Sequence, residues 1–591
     1  MSAPHERPTL APALYAYAKG LSDSDPDGPP PRGGHPLPGT AWPARRGGAG
    51  LRHREARAAV TDSLLPLLGT PDPAGAAAEA ERALATTGVV HAQTVFAATA
   101  AAIEPPDEPA VRVLARSFAR RLVRTGTTVP GVSAGLGLLS RLGEAEDVPY
   151  LCVLGLLDGL VRPVDAALAP LDRTAAALVW LIHRTRGEEL RDLVGALAAG
   201  DRAAVPDRLL RLPTDARGAG PEVSRRAAEA VGLAGLLRAD PDRPGLLARA
   251  VRLLARMTSS RDHHAEILRY GDAVDLYETV AAHAHRLPRD VDHRARLLTL
   301  ALDLHSGASH LLPWPPGRRE ALHRTLLDTA VRPGETPVDP DGRRRADWIR
   351  RTARQLRAAP RDPLPFRIEV AVADPGDPDV VETRFLADGR PLVPELFGPG
   401  PGGPPEWLLD DGTLRAGPEP REVRLAEAYR TEGCCGALYV TVRREGPHVV
   451  WDGWRRPGAP PGPTAPPAAY RFDADAYDAE IARAEQDLSW TWPARRTARL
   501  ISAGLRERPE LLTRWGLRRG WISTDFHTPD TTVVTFDGPP LAADGTPDTE
   551  QHARRFLWRL PDDGRPSEDQ AAAALRRLAE EDPRGYPEAG R

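Results

Sequence analysis

The sequence predicts a mixed fold, an N-terminal all-α, helical-repeat-like array followed by an α+β domain containing a β-hairpin. Three observations carry this expectation. Residues from about 56 to 359 are Leu- and Ala-rich segments of roughly 12 to 20 residues, separated by Pro-, Gly- and Asp-bearing breaks. Beyond about 360 the pattern changes to short runs of alternating apolar and polar residues. Within that second region, Tyr429 to Trp454 reads as strand, turn and strand. A chain of 591 residues is long enough for large cores, and its 41% hydrophobic and 27% charged content belongs to folded proteins.

Taken in order, residues 1–55 carry the run DPDGPPPRGGHPLPG, which cannot propagate a helix or a ladder for long. An irregular arm is expected there, with Tyr15 and Tyr17 as anchors for a docked piece. From 56 to 359 the breaks GTPDPAG, EPPDEP, GTTVPG, LPTDARGAGP and RADPDRPG supply stops and caps between helices. Val111, Leu114, Phe118 and Leu122 follow the spacing of one helix face, as do Leu178, Leu181 and Ile182. Helices in succession, each with one apolar stripe, bury those stripes by stacking.

This stretch resembles the HEAT-type α-solenoids in architecture, and the resemblance implies an extended array of helix pairs offering a binding surface.

The α+β domain is expected over 360–562. FRIEVAVAD and VETRFLADGRPLV are strand-like and closed by Asp-Pro and Asp-Gly turns. In the hairpin, Leu438, Val440 and Val442 occupy one face and Tyr439, Thr441 and Arg443 the other, Glu445-Gly446-Pro447 turns the chain, and His448 to Trp454 returns. Asp473 to about Trp515 reads as helical, Trp521 to Phe536 as strand, and Glu550 to Leu560 as a short amphipathic helix. Residues 563–591 are expected to form a helix and a frayed tail.

Composition excludes several enzyme classes. There is one lysine, Lys19, and no asparagine, against 77 arginines and 62 prolines, the imprint of a GC-rich bacterial genome. P-loop, Schiff-base and kinase chemistry each need a lysine that this chain lacks beyond its N-terminus. Arginine abundance under such a bias is weak evidence for nucleic-acid binding, and a net charge of −3 implies no globally charged partner. Three cysteines, Cys152, Cys434 and Cys435, form no disulfide framework, so a reducing cytoplasm is expected. No run approaches the roughly 18–20 apolar residues of a membrane span, and no membrane partner is expected.

The candidate sites are few. Cys434 and Cys435, flanked by glycines, are candidate nucleophiles, with His448, His527 and Asp525 as possible partners in the same domain. No recognised spacing links them, and buried packing is the simpler role of the cysteines. Gly131-Val132-Ser133-Ala134-Gly135 matches the G-x-S-x-G elbow but lies in helical sequence. Asp473, Asp475 and Asp478 fit a helix start better than a cation loop. Eight of sixteen histidines fall between His263 and His323, yet none are spaced i, i+4 and HExxH is absent, so no metal is expected. No cofactor motif occurs either.

Arg112, Arg116, Arg120 and Arg124 line one helix stripe, where like charges repel by about 0.2–0.5 kcal/mol per pair. Acids on a neighbouring helix, such as Glu144 or Asp147, or an anionic partner would relieve this. Gly342 to Arg361, with Arg343, Arg350 and Arg354, poses the same question. Eight of twelve tryptophans lie beyond residue 400, as core or as ligand anchors. The leading expectation is a non-enzymatic interaction protein of scaffold, regulatory or immunity type with a protein partner. A cysteine-dependent enzyme and a nucleic-acid-binding protein are the alternatives.

Overall fold

The structure is a computed structural model of the chain. It describes residues 12–24, 33–42, 53–87, 91–104, 106–184, 187–213, 220–259, 265–335, 337–360, 362–376, 381–398, 400–428, 436–458, 465–525, 528–538 and 554–587. An N-terminal all-helical region is followed by a C-terminal region with antiparallel sheets, so the fold is mixed. The chain forms two compact units, 1–250 and 251–591. The switch from helices to strands falls inside the second.

Unit 1 contains α1 (Leu14–Ser24), α2 (His53–Leu64), α3 (Pro73–Thr86), α4 (Ala92–Ala102), α5 (Pro109–Thr125), α6 (Val129–Leu142), α7 (Val148–Leu154), α8 (Val161–Leu168), α9 (Arg173–Arg184), α10 (Glu188–Ala198), α11 (Val205–Arg211), α12 (Pro221–Val231) and α13 (Leu233–Ala239). Many starts are written in the breaks. Asp72 accepts a hydrogen bond from the amide of Ala74 at the start of α3, and Thr128 accepts one from Gly131 at the start of α6, each ahead of a proline in the first turn. The helices pack alternately: α2, α4, α6 and α8 form one row, α3 packs on α5, and α9 packs on α8 and α12. From α2 to α8 the apolar stripes are therefore covered largely by the helix two along, a pattern that ends at α9, which packs on α12.

The N-terminal stretch is more regular than its composition predicts. Leu14–Ser24 lies ahead of the Pro/Gly run and contains no proline, and it forms α1, which fills a place against α5 and α7 with Leu14 and Ala18 fully buried. Tyr15 stacks 5.2 Å from Tyr150. The G-x-S-x-G pentapeptide lies within α6, and its glycines serve packing. A Cβ at Gly135 would sit 2.8 Å from Leu122 of α5, and one at Gly137 would sit 2.8 Å from Thr99 and 3.0 Å from the Phe96 carbonyl of α4. α6 approaches both neighbours closely because those side chains are missing.

The division between the units falls within α14 (Leu246–Met257). Unit 2 continues with α15 (Ala273–His283), α16 (Val291–Ser306), α17 (Arg318–Ala330) and α18 (Pro340–Ala358), with α16 packed on both α17 and α18. The first sheet runs β1 (Phe366–Val372), β2 (Val381–Ala387), β3 (Arg390–Pro391), all antiparallel, and leads into α19 (Leu392–Leu396). The second sheet is a meander of β4 (Arg421–Glu427), β5 (Ala437–Glu445), β6 (His448–Arg455) and β7 (Tyr470–Asp473). Its central pair is the anticipated hairpin, closed with Glu445 opposite His448, and Leu438, Val440 and Val442 are buried. Helices α20 (Ala474–Gln486), α21 (Pro493–Glu507) and α22 (Glu510–Thr513) follow, with Asp473 accepting from the Ala476 amide at the start of α20. The third sheet orders β8 (Arg518–Thr524), β9 (Thr531–Gly538) and β10 (Arg554–Pro561) as β10-β9-β8, and α23 (Ser567–Glu580) packs on α21.

The expectation of a helix over Glu550 to Leu560 is corrected by β10. Phe556 and Trp558 are buried at every second residue while Arg555 and Arg559 face out, and the strand pairs with β9 along its length. Period-two burial of aromatics outweighs the short helical spacing.

The aromatic concentration of the sequence is largely core. Phe366, Phe385, Trp451, Phe472 and Tyr477 join the first two sheets and α20, with Phe366 5.2 Å from Trp451 and 5.0 Å from Tyr477. Trp348, Trp451 and Trp490 are essentially inaccessible, whereas Trp407 is exposed. Two buried ion pairs fix α21 to a π-helical turn over Glu406–Asp410: Arg495 with Glu406, and Arg499 with Asp410 at 2.7 Å. Among the described residues, no helix is long and apolar enough to cross a membrane.

Candidate functional site

The arginine stripe of α5 meets acids of its own unit. Arg116 pairs with Glu144, and Arg120 holds Asp147 at 2.8 Å and Glu144 at 3.0 Å. Arg124 lies 3.7 Å from Asp147 and places its guanidinium 3.9 Å over the Tyr150 ring. Arg112 donates to the Pro106 carbonyl at 3.0 Å. Asp147 is buried, so Arg120 answers a desolvated carboxylate, a stronger constraint than a surface pair.

On α18, Arg350 pairs with Asp347, Arg343 donates at 3.4 Å to the Asp339 carbonyl, and Arg354 is exposed. Their neighbour Arg345 is tied to Asp374 at 2.6 Å and Asp292 at 3.0 Å.

Cys434, Cys435 and His527 lie outside the described residues. His448 opens β6 opposite Asp473. Asp525 follows β8 in another sheet, where it accepts from the Thr528 amide at 3.1 Å and pairs with Arg559 at 3.3 Å. Cys152 is half-buried, and burial together with the nearby Asp172 carboxylate pushes its thiol up to about 11, which keeps it protonated at neutral pH.

Of the eight clustered histidines, His263 and His264 lie outside the described residues, and three of the others gather. His305 lies 5.6 Å from His323, and His310 contacts the His305 carbonyl through Nδ1 at 3.0 Å. Burial lowers both His310 and His323 to about 4, so they are neutral at pH 7. His305 Nε2 reaches Glu369 Oε1 at 3.0 Å. Burial would raise the Glu369 carboxyl, but His305, Ser306 and Arg367 together hold it at about 2. Among the described residues, no group of three or more His, Cys, Asp or Glu side chains is placed to hold a metal ion.

The site that sequence reasoning missed is a cleft of about 760 Å³ in unit 1. Its walls come from four places far apart in sequence: Gly33 and Trp42 of the N-terminal stretch, His91 and Gln93 at the start of α4, Asp158 to Pro163 leading into α8, and Trp180, His183 and Arg184 at the end of α9. The N-terminal stretch is held in place by backbone pairing. The His35 amide donates to the Leu156 carbonyl at 2.7 Å, the Asp158 amide to the His35 carbonyl at 2.8 Å, and the Val129 amide to the Ala41 carbonyl at 2.9 Å. Gly34, at φ +83°, lies so close that a Cβ there would meet His183 Cε1 at 2.1 Å. Only glycine fits between that backbone and that ring.

His183 Nε2 sits 2.6 Å from the Gly155 carbonyl. A carbonyl only accepts, so Nε2 carries the proton and Nδ1 is left as an acceptor, buried and without a hydrogen-bond partner. Trp42 is 38% exposed, a large apolar surface for one side chain. Trp180 receives the guanidiniums of Arg226 and Arg184 at 5.6 and 5.8 Å from its ring centroid. Arg162 and Arg184 are exposed and make no ion pair among the described residues, while Asp158 is the single carboxylate of the lining. Arg162 occupies the first turn of α8, where the helix dipole favours an acid. The cleft thus combines two aromatic platforms with two uncompensated cations. Comparison of the chain with protein-family models, with curated proteins and with solved structures finds no match in any of the three.

Proposed function

We propose that this chain is a non-enzymatic interaction protein whose first unit holds an acidic, aromatic-bearing segment of a protein partner in the cleft between Trp42 and Trp180. The observation that carries this reading is the contrast in charge pairing. Arg116, Arg120 and Arg345 are committed to carboxylates of their own unit, whereas Arg162 and Arg184 flank an aromatic cleft and pair with no carboxylate among the described residues. A guanidinium binds a carboxylate through parallel hydrogen bonds, and tryptophan supplies area at low entropic cost, which together make the usual hot spots of protein interfaces. The volume suits a few side chains of an extended segment.

The stacking of α2, α4, α6 and α8 in one row, with α3 on α5, supports reading the first part of the array as a solenoid of the HEAT type, a form that presents extended binding surfaces. Cysteine usage supports a reducing, cytoplasmic setting, and the arginine-rich, lysine-poor composition supports a bacterial source. The test is a fluorescence titration of the full chain with a panel of short peptides that combine Asp or Glu with Phe, Tyr or Trp. Binding is expected to weaken at least tenfold in Trp42→Ala and to fall as salt rises. Equal affinity for charge-reversed peptides would refute the reading.

A further inference from the structure

We infer that unit 2 carries a second binding site of a different kind, at the free edge of β1, where an extended peptide segment of a partner protein adds as a strand at Val370. β1 pairs with β2 on one side only. Its alternate residues turn their backbone groups the other way, as three hydrogen bonds show. The Ile368 amide donates to Glu480 Oε1 at 2.7 Å, the Ile368 carbonyl accepts from Arg483 at 2.5 Å, and the Val372 carbonyl accepts from the Trp348 indole at 2.9 Å. Val370 lies between them with the same parity, so its N–H and C=O also point away from β2. Among the described residues neither group has a hydrogen-bond partner.

That gap in an otherwise covered edge opens on a cleft of about 440 Å³, bounded by α16, α18 and the end of α20, with Val370 in its lining. Proteins cover exposed strand edges, and here side chains cap the positions on both sides of the gap. A donor and an acceptor one residue apart, facing one cleft, match the acceptor and donor of a single residue in an incoming extended chain. Facing the cleft, the two groups can exchange water for the backbone of a bound strand.

The charges beside the cleft are already neutralised. Arg367 and Arg483 both reach Glu480, at 3.2 and 2.7 Å. Recognition here therefore rests on the backbone, with Gln355, which donates to Ser489 at 3.2 Å, as a polar wall against the flanking residues. Insensitivity to salt separates this site from the cationic cleft of unit 1.

The experiment uses the full chain and a panel of blocked octapeptides alternating threonine with one apolar residue, read by binding titration and by hydrogen exchange of the fragment containing Val370. A peptide is expected to bind, to slow exchange in that fragment, and to keep its affinity from low to high salt and in the Arg162→Ala/Arg184→Ala variant. Val370→Pro removes the donor at an edge position that tolerates proline, and it is expected to weaken binding at least tenfold. Should that variant fail to fold, Ser489→Trp, which fills the cleft from its rim, is expected to do the same. Absence of binding across the panel, binding unchanged in both variants, or unprotected exchange at Val370 would overturn the inference.

Discussion

Replacing Glu369 by glutamine tests the physical account of unit 2 directly beneath that edge. The carboxylate is largely buried, and His305, Ser306 and Arg367 hold it at about 2 against burial, where an ordinary glutamate titrates near 4.5. A carboxyl depressed by that amount corresponds to at most on the order of 3 kcal/mol of stability at neutral pH. The sign follows from proton binding. The unfolded chain takes up this proton first as pH falls, so the contribution is fully present above about 4.5 and is lost progressively towards about 2. Glu369→Gln is therefore expected to be less stable than the parent at pH 7, and the difference is expected to shrink below pH 4.5. His310 and His323, lowered to about 4 by burial, also destabilise the fold as pH drops below 6.5. They do so in both proteins and cancel in the difference. Urea unfolding of both proteins across pH 7 to 3 measures it. A difference that stays constant over that range would refute the assignment of the shift to Glu369.

Two further perturbations probe unit 1. Arg120→Ala leaves the buried Asp147 with Arg124 at 3.7 Å as its one cation and the Glu144 amide at 3.0 Å, and it is expected to cost about 3 kcal/mol in chemical unfolding, against less than about 0.5 kcal/mol for Arg112→Ala. Similar losses from the two would mean that the stripe is not held by Asp147. Gly137→Val puts atoms against Thr99 and the Phe96 carbonyl and is expected to cost about 1–3 kcal/mol of thermal or urea stability, with a neutral result showing that α4 and α6 are not in tight contact.

Much of the fold is legible in the sequence because it is written locally. The alternation Leu438, Val440, Val442 and the turn at Gly446 define the β5–β6 hairpin without help from the rest of the chain. The caps Asp72 and Thr128 sit in the breaks that the composition marks. β10 departs from the helix expected there because FLWRL carries strand alternation over only a few residues and its pairing partner β9 ends at Gly538, well before Arg554. The sites were less legible for the same reason. Trp42, Arg162 and Trp180 are separated by more than a hundred residues at the extremes, and nothing local says that they share a cleft. The one local signal is Arg162 in a helical first turn, a position that normally favours an acid. The gap at Val370 is invisible in sequence altogether, since an edge strand and a central strand can carry the same residues.

The most direct test of the interaction role is a binding isotherm of the full chain with the tightest acidic-aromatic peptide, set beside that of the Arg162→Ala/Arg184→Ala double variant. The account predicts at least a tenfold loss of affinity in the variant and a shallower dependence on salt, with unfolding behaviour unchanged. An isotherm and a salt dependence identical in the two proteins would contradict it.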